Sequence, residues 1–167
     1  GEIPSEIGNL TNLTFLDLSN QSITGEIPSS IWNLTNLEWL YLFNNQISGS
    51  IPSEISNLEN LVGLGLASNQ LSGIIPSEIG SLSNLSFLAL SYNSLTGQIP
   101  EEVHLLGYIT HFGVSHNQLS GQIPDEFCDI LEYYGGGNIY LEYNQFCPPY
   151  PSCIEDYVGE QDTSNCP

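Results

Sequence analysis

The chain contains no lysine and no arginine in 167 residues, against 19 aspartates and glutamates, so its formal charge at pH 7 is -19. No face can offer the positive charge that nucleic-acid backbones and anionic lipid surfaces attract, which excludes both classes of partner. A typical domain carries about 25% charged residues of both signs, so the one-sided balance reflects selection or engineering. The resulting negative field opposes self-association at low salt and draws counter-ions or divalent cations. Methionine is also missing, the chain opens at Gly1, and neither a charged-then-apolar leader nor a run of 18 apolar residues occurs. That pattern reads as a mature or trimmed product, soluble and without a membrane-spanning helix.

Cysteine is absent until Cys128, and Cys128, Cys147, Cys153 and Cys166 then fall within the last 40 residues. An even, clustered set predicts two disulfides made in an oxidising compartment, and hence secretion, with three pairings open. A zinc site is the weaker reading, because the intervening stretches of 18, 5 and 12 residues hold no C-x2-C knuckle and no nearby histidine. With 40% apolar and 10% aromatic side chains, the composition suffices for one sizeable core.

What the chain does have is a repeat of 24 residues without gaps. Leu13, Leu37, Leu61, Leu85 and Ile109 form one column. Leu16, Leu40, Leu64, Leu88 and Phe112 form the next, followed by Leu18, Leu42, Leu66, Leu90 and Val114. Asn45, Asn69, Asn93 and Asn117 come after these, with Gln21 in the first copy, and each unit runs on through a glycine into an Ile-Pro pair. The L-x-x-L-x-L run alternates at its end, so it predicts a short strand with leucines on one side and variable residues on the other. The asparagine ends the strand, since its amide bonds turn backbone and can ladder between coils. A second apolar pair, spaced by three as in Ile31 and Leu34, suits a helical or 3₁₀ turn on the opposite side. One unit cannot bury its own face, but a stack shares a continuous core. The prediction is an α/β repeat solenoid over residues 1–134, a half unit plus five full units. Residues 135–167, after the insertion Gly135-Gly136-Gly137, form a last strand (Ile139, Leu141, Asn144, Phe146) and a Cys-rich C-terminal cap.

The pattern L-x-x-L-x-L-x-x-N-x-L-x-G-x-I-P resembles leucine-rich repeat proteins of the plant extracellular type, such as receptor-like kinase ectodomains and polygalacturonase-inhibiting proteins. The resemblance implies a curved solenoid with a parallel sheet on its concave side, a second short sheet at the G-x-I-P segments, and binding of peptides, proteins or polysaccharides. The family's cysteine-bearing N-terminal cap is absent, and Gly1-Glu2-Ile3-Pro4 aligns with the middle of a unit. That opening presents unpaired strand edges and an apolar end face, and it predicts either a missing cap or stacking into oligomers or fibres.

Candidate site residues follow from the outward strand columns. Phe15, Trp39, Tyr41 and Phe43, beside Asp17 and Glu38, form an aromatic and acidic cluster on the early strands. Phe87, His111, Tyr140 and Glu142 continue it, whereas Gly63 and Gly65 leave the middle strand bare. Flat aromatics next to carboxylates suit a sugar ring or an apolar peptide side chain. His111 and His116, near Tyr143, are read as solvated, and His104 as exposed on the far side. No catalytic constellation, metal-ligand spacing or nucleotide loop occurs, so neither enzyme activity nor a cofactor is expected. Five N-x-S/T sequons, at Asn9, Asn12, Asn20, Asn33 and Asn84, offer N-glycosylation sites in a eukaryotic secretory route. The leading expectation is a secreted, non-enzymatic recognition module with a protein, peptide or polysaccharide on its concave face. The alternative is a self-assembling extracellular structural subunit. Ice binding through Thr24, Ser48, Ser72, Thr96 and Ser120 is a third, lesser reading.

Overall fold

A computed structural model describes residues 1–106, 109–132 and 138–167, together with every side chain in them except those of Leu131 and Glu132. The glycine insertion at 135–137 lies outside the described residues. Among the described residues twelve strands follow one another: β1 (Phe15–Asp17), β2 (Thr24–Glu26), β3 (Trp39–Tyr41), β4 (Gln46–Ser48), β5 (Gly63–Gly65), β6 (Ser72–Gly73), β7 (Phe87–Ala89), β8 (Ser94–Gly97), β9 (His111–Gly113), β10 (Gln118–Gly121), β11 (Asn138–Tyr140) and β12 (Gln145–Phe146). The odd-numbered strands make one six-stranded parallel sheet in chain order. The even-numbered strands form a second, flanking set, β2 with β4 and β6 through β12. The amides of Gln70 and Ser72 still donate to the Ile47 and Gly49 carbonyls at 2.8 Å across the gap between these two blocks.

The leucine columns dictate the register. Leu16, Leu40, Leu64, Leu88, Phe112 and Ile139 lie opposite one another across the main sheet. Burial is complete for Leu40, Leu64, Leu88 and Phe112. The Ile-Pro pairs ending at Pro4, Pro28, Pro52, Pro76 and Pro100 each lead into a five-residue 3₁₀ turn, with proline as the extended residue that precedes it. Those turns bury the apolar pairs spaced by three, Ile31 with Leu34 and Ile55 with Leu58, all fully enclosed. Strands β2, β4, β6, β8 and β10 end at or next to the glycine of G-x-I-P, so this second sheet lies mostly ahead of the Ile-Pro pair.

The asparagine column ties coil to coil through the backbone rather than amide to amide. Asn93 Nδ2 donates to the Leu66, Leu90 and Ser91 carbonyls at 3.1, 3.0 and 3.4 Å, and its Oδ1 accepts from the Leu71 amide at 2.9 Å. Asn45, Asn69, Asn117 and Asn144 repeat this arrangement. Among the described residues, no buried side-chain nitrogen or oxygen lacks a partner.

The far end closes the stack with disulfides Cys128–Cys153 and Cys147–Cys166. Residues 160–162 stand in for a further coil, because the Tyr143 amide donates to Glu160 and the Asp162 amide donates to Asn144. Gln161 takes the asparagine's part: its Nε2 donates to the Leu141 carbonyl at 2.9 Å and its Oε1 accepts from the Phe146 amide at 3.3 Å. Ile154 and Val158 cover the last coil's apolar face. At the near end, Ile7, Leu13, Leu18, Ile23 and Ile27 are only partly buried, unlike their counterparts one coil on.

Candidate aromatic binding face

The outward columns of the main sheet bring the candidate residues together. Phe15, Trp39, Gly63, Phe87, His111 and Asn138 stand side by side in register, and Asp17, Tyr41, Gly65, Ala89, Gly113 and Tyr140 form the neighbouring column. Tyr41 packs edge-on against Phe15, Trp39 and Phe87 with centroids 5.9, 5.8 and 6.0 Å away. Phe43 lies 5.3 Å from Tyr41. Phe87 stacks on His111 at 4.4 Å, and His111 meets Tyr140 at 5.3 Å. The result is one aromatic file that crosses all six strands.

The middle strand is not bare, which corrects the sequence-based expectation. A Cβ at Gly63 would sit 2.2 Å from the Trp39 ring, and one at Gly65 would sit 2.1 Å from the Phe43 ring. The two glycines are therefore the space in which neighbouring rings lie down, and both are buried beneath them. Ala89 and Ser115 on the neighbouring coils are likewise covered. His111 is half-buried between rings rather than solvated. Burial holds its imidazole below the ordinary value.

The acids sit at the two ends of the file. Asp17 is exposed and lies opposite Tyr41 across β1 and β3. Ser19 bonds its carboxylate, the backbone amide at 2.9 Å, and holds it below the usual carboxylate range. Burial, and secondarily the charge of Asp17, pushes the Tyr41 phenol up. Glu38 is exposed at the entry to β3, and Glu142 is half-exposed two residues after Tyr140.

A second stack runs along the rim and escaped the sequence reading. Tyr92, His116 and Tyr143 pack face to face, with centroids 4.1 and 4.3 Å apart. All three adopt left-handed backbone, with φ of 58°, 53° and 57°, which bulky residues resist. The turn position that precedes the asparagine column reads Asn44, Ser68, Tyr92, His116 and Tyr143 down the stack, so no constant residue type marks it. On the opposite side, His104 is half-exposed and its Nδ1 lies 2.6 Å from the Glu101 carbonyl oxygen.

The flanking sheet differs in kind. Around β4, β6, β8 and β10 its outward positions are Gln46, Ser48, Gln70, Ser72, Ser94, Thr96, Gln118 and Ser120, all uncharged, whereas β2 ends in the exposed Glu26 opposite Ser48. Ser48, Ser72 and Thr96 donate their hydroxyls to the carbonyls of Gly25, Gly49 and Gly73 in the preceding coil. All five sequon asparagines are exposed. Asn84 differs in that its Nδ2 is already committed to the Glu59 carbonyl at 2.9 Å. Among the described residues, no group of three or more His, Cys, Asp or Glu side chains is arranged to hold a metal ion.

Leucine-rich repeat profiles match residues 4–47, 35–76, 84–106 and 108–130. A chain of the BIR3–SERK2 complex from Arabidopsis thaliana is 37% identical over 83% of this chain and 72% of its own length, with a TM-score of 0.70. The chain belongs to the leucine-rich repeat family. It is of the plant extracellular type. The leucine-rich repeat ectodomain of the Arabidopsis receptor kinase HAESA, solved with an N-terminally extended IDA peptide hormone, superposes with a TM-score of 0.85. It is 35% identical, over 94% of this chain and 26% of its own length. A plant ice-binding protein matches with a TM-score of 0.72 and 33% identity, over 87% of this chain and 46% of its own. Against several of the receptor ectodomains, this leucine-rich repeat chain spans only 18 to 32% of their length. No curated protein sequence matches it.

Proposed function

We propose that this leucine-rich repeat chain is a secreted, non-enzymatic recognition module that takes an extended peptide or protein segment across its main-sheet aromatic file. The observation that carries the reading is the file itself: seven aromatic or imidazole rings, Phe15 to Tyr140, pack on one another and on glycine, with one face left to solvent. Exposed aromatic surface of this extent marks an interaction site. Its similarity to a receptor ectodomain solved with a peptide hormone supports a peptide over a polysaccharide. Trp39 supplies the readout, since it is half-exposed on this face whereas Trp32 is buried at 2%. A ligand should change Trp39 fluorescence, and the Trp39→Ala, Tyr41→Ala double variant should lose binding while it remains folded. Unchanged affinity in that variant would remove the file from the account.

A second reading is stacking of copies into oligomers or fibres. Light-scattering mass separates the two: a constant value near 18.3 kDa plus any glycan supports the module, and growth with concentration and added salt supports assembly. The serine and threonine positions of the flank and the similarity to an ice-binding protein favour a third, contact with ice, which thermal hysteresis tests.

A further inference from the structure

The ligand's charge can be read from the same face, in an argument that rests on the recognition reading above. Acids mark both ends of the aromatic file: Asp17 lies opposite Tyr41, Glu38 immediately precedes Trp39, and Glu142 follows Tyr140 by two residues. The stretch between them, over β5, β7 and β9, presents Gly63, Gly65, Phe87, Ala89, His111 and Gly113 and carries no acid. None of the end carboxylates has a lysine or arginine to pair with, because the chain contains none. Six strands span five steps of about 4.8 Å, roughly 24 Å, which an extended peptide crosses in about seven residues.

We infer that the ligand is an extended peptide segment of about seven residues, apolar or aromatic in the middle and bearing lysine or arginine at both ends. At one end, a guanidinium or ammonium lies over the Phe15 or Tyr41 ring and meets Asp17 and Glu38. At the other end, Tyr140 and Glu142 receive its counterpart. Cation–π contact and charge-assisted hydrogen bonds act together at each end. The central side chains pack on Trp39, Phe43 and Phe87. The formal charge of -19 steers such a segment inward and repels acidic ones.

An unbiased display library of seven-residue peptides tests this, selected on the intact chain and counter-selected on the Trp39→Ala, Tyr41→Ala variant. The variant keeps every acid, so it removes peptides that bind through charge alone. The expected survivors carry lysine or arginine near both ends. Replacing those arginines in one surviving peptide with neutral citrulline should weaken binding by about tenfold or more. The Asp17→Asn, Glu38→Gln, Glu142→Gln variant should erase that difference while the weaker, aromatic part of the affinity stays. Surviving peptides without basic enrichment, or citrulline forms that bind equally well, would overturn this inference and leave the recognition reading standing. No peptide that depends on Trp39 and Tyr41 would overturn both.

Discussion

The two sheets rise from the same 24-residue unit and the same core, yet their outer faces have little in common. The flank repeats itself, glutamine or serine followed by serine or threonine in coil after coil, and three of its hydroxyls bond the neighbouring coil's backbone. The main sheet changes at every coil, through phenylalanine, tryptophan, glycine and histidine, and its rings touch mainly each other. A position that recurs reports on how coils stack. One that varies while remaining packed on its neighbours is free to be shaped by something outside the molecule.

The contrast is sharpest if the inside is broken first. Asn93→Ala strips four hydrogen bonds from the coil junction and leaves the carbonyls it served buried. It should cost about 3 kcal/mol in chemical denaturation. Tyr41→Ala, on the outer face, should cost only about 1 kcal/mol and act on binding instead.

Filling the glycine gap sharpens the main-sheet side. A valine at Gly65 places carbon where the Phe43 ring lies, so the ring must swing out and the file is interrupted. Peptide affinity should fall about tenfold or more, with thermal stability changed by no more than about 1 kcal/mol. On the flank, Thr96→Val removes the bond to the Gly73 carbonyl and should cost about 0.5 to 1 kcal/mol without any change in peptide affinity.

Glycans extend the comparison to a third surface. Asn33 is exposed at the end of its 3₁₀ turn, whereas glycosylation of Asn84 would compete with its bond to Glu59. Glycopeptide mass spectrometry of protein from a eukaryotic host should find Asn33 the more occupied of the two. The smallest effect is titration of His111. Its folded imidazole lies below the ordinary value of about 6.5, so the unfolded chain binds more protons in between. Its contribution to stability is therefore complete above that value and lost as pH falls. The melting temperature of the His111→Gln variant should depend less on pH between 7 and 5 than that of the parent.

The repeat made the inside legible before any coordinates: the leucine columns, the asparagine column and the 3₁₀ turns follow from a strict period, and the strand at Ile139 follows once the three-glycine insertion is allowed for. The candidate residues on the main sheet were legible as positions, since alternation in a strand decides which side chains point outward. Their packing was not. Trp39 and Phe43 lie across the next strand, a contact between residues about 24 apart that no local pattern encodes. Gln161 escaped for a different reason, because the cap supplies the ladder's last amide from a segment outside the period. The Tyr92, His116 and Tyr143 stack was hidden by a turn position whose residue type changes from coil to coil.

The central claim is that one outer face recognises a ligand and the other does not. Calorimetric titration of a single display-selected peptide against three chains tests it most directly: the parent, the Trp39→Ala, Tyr41→Ala variant and the Ser72→Ala, Thr96→Ala variant. The account predicts a loss of about tenfold or more for the main-sheet variant alone, with all three chains equally folded. Equal affinity in all three, or a loss confined to the flank variant, would contradict it.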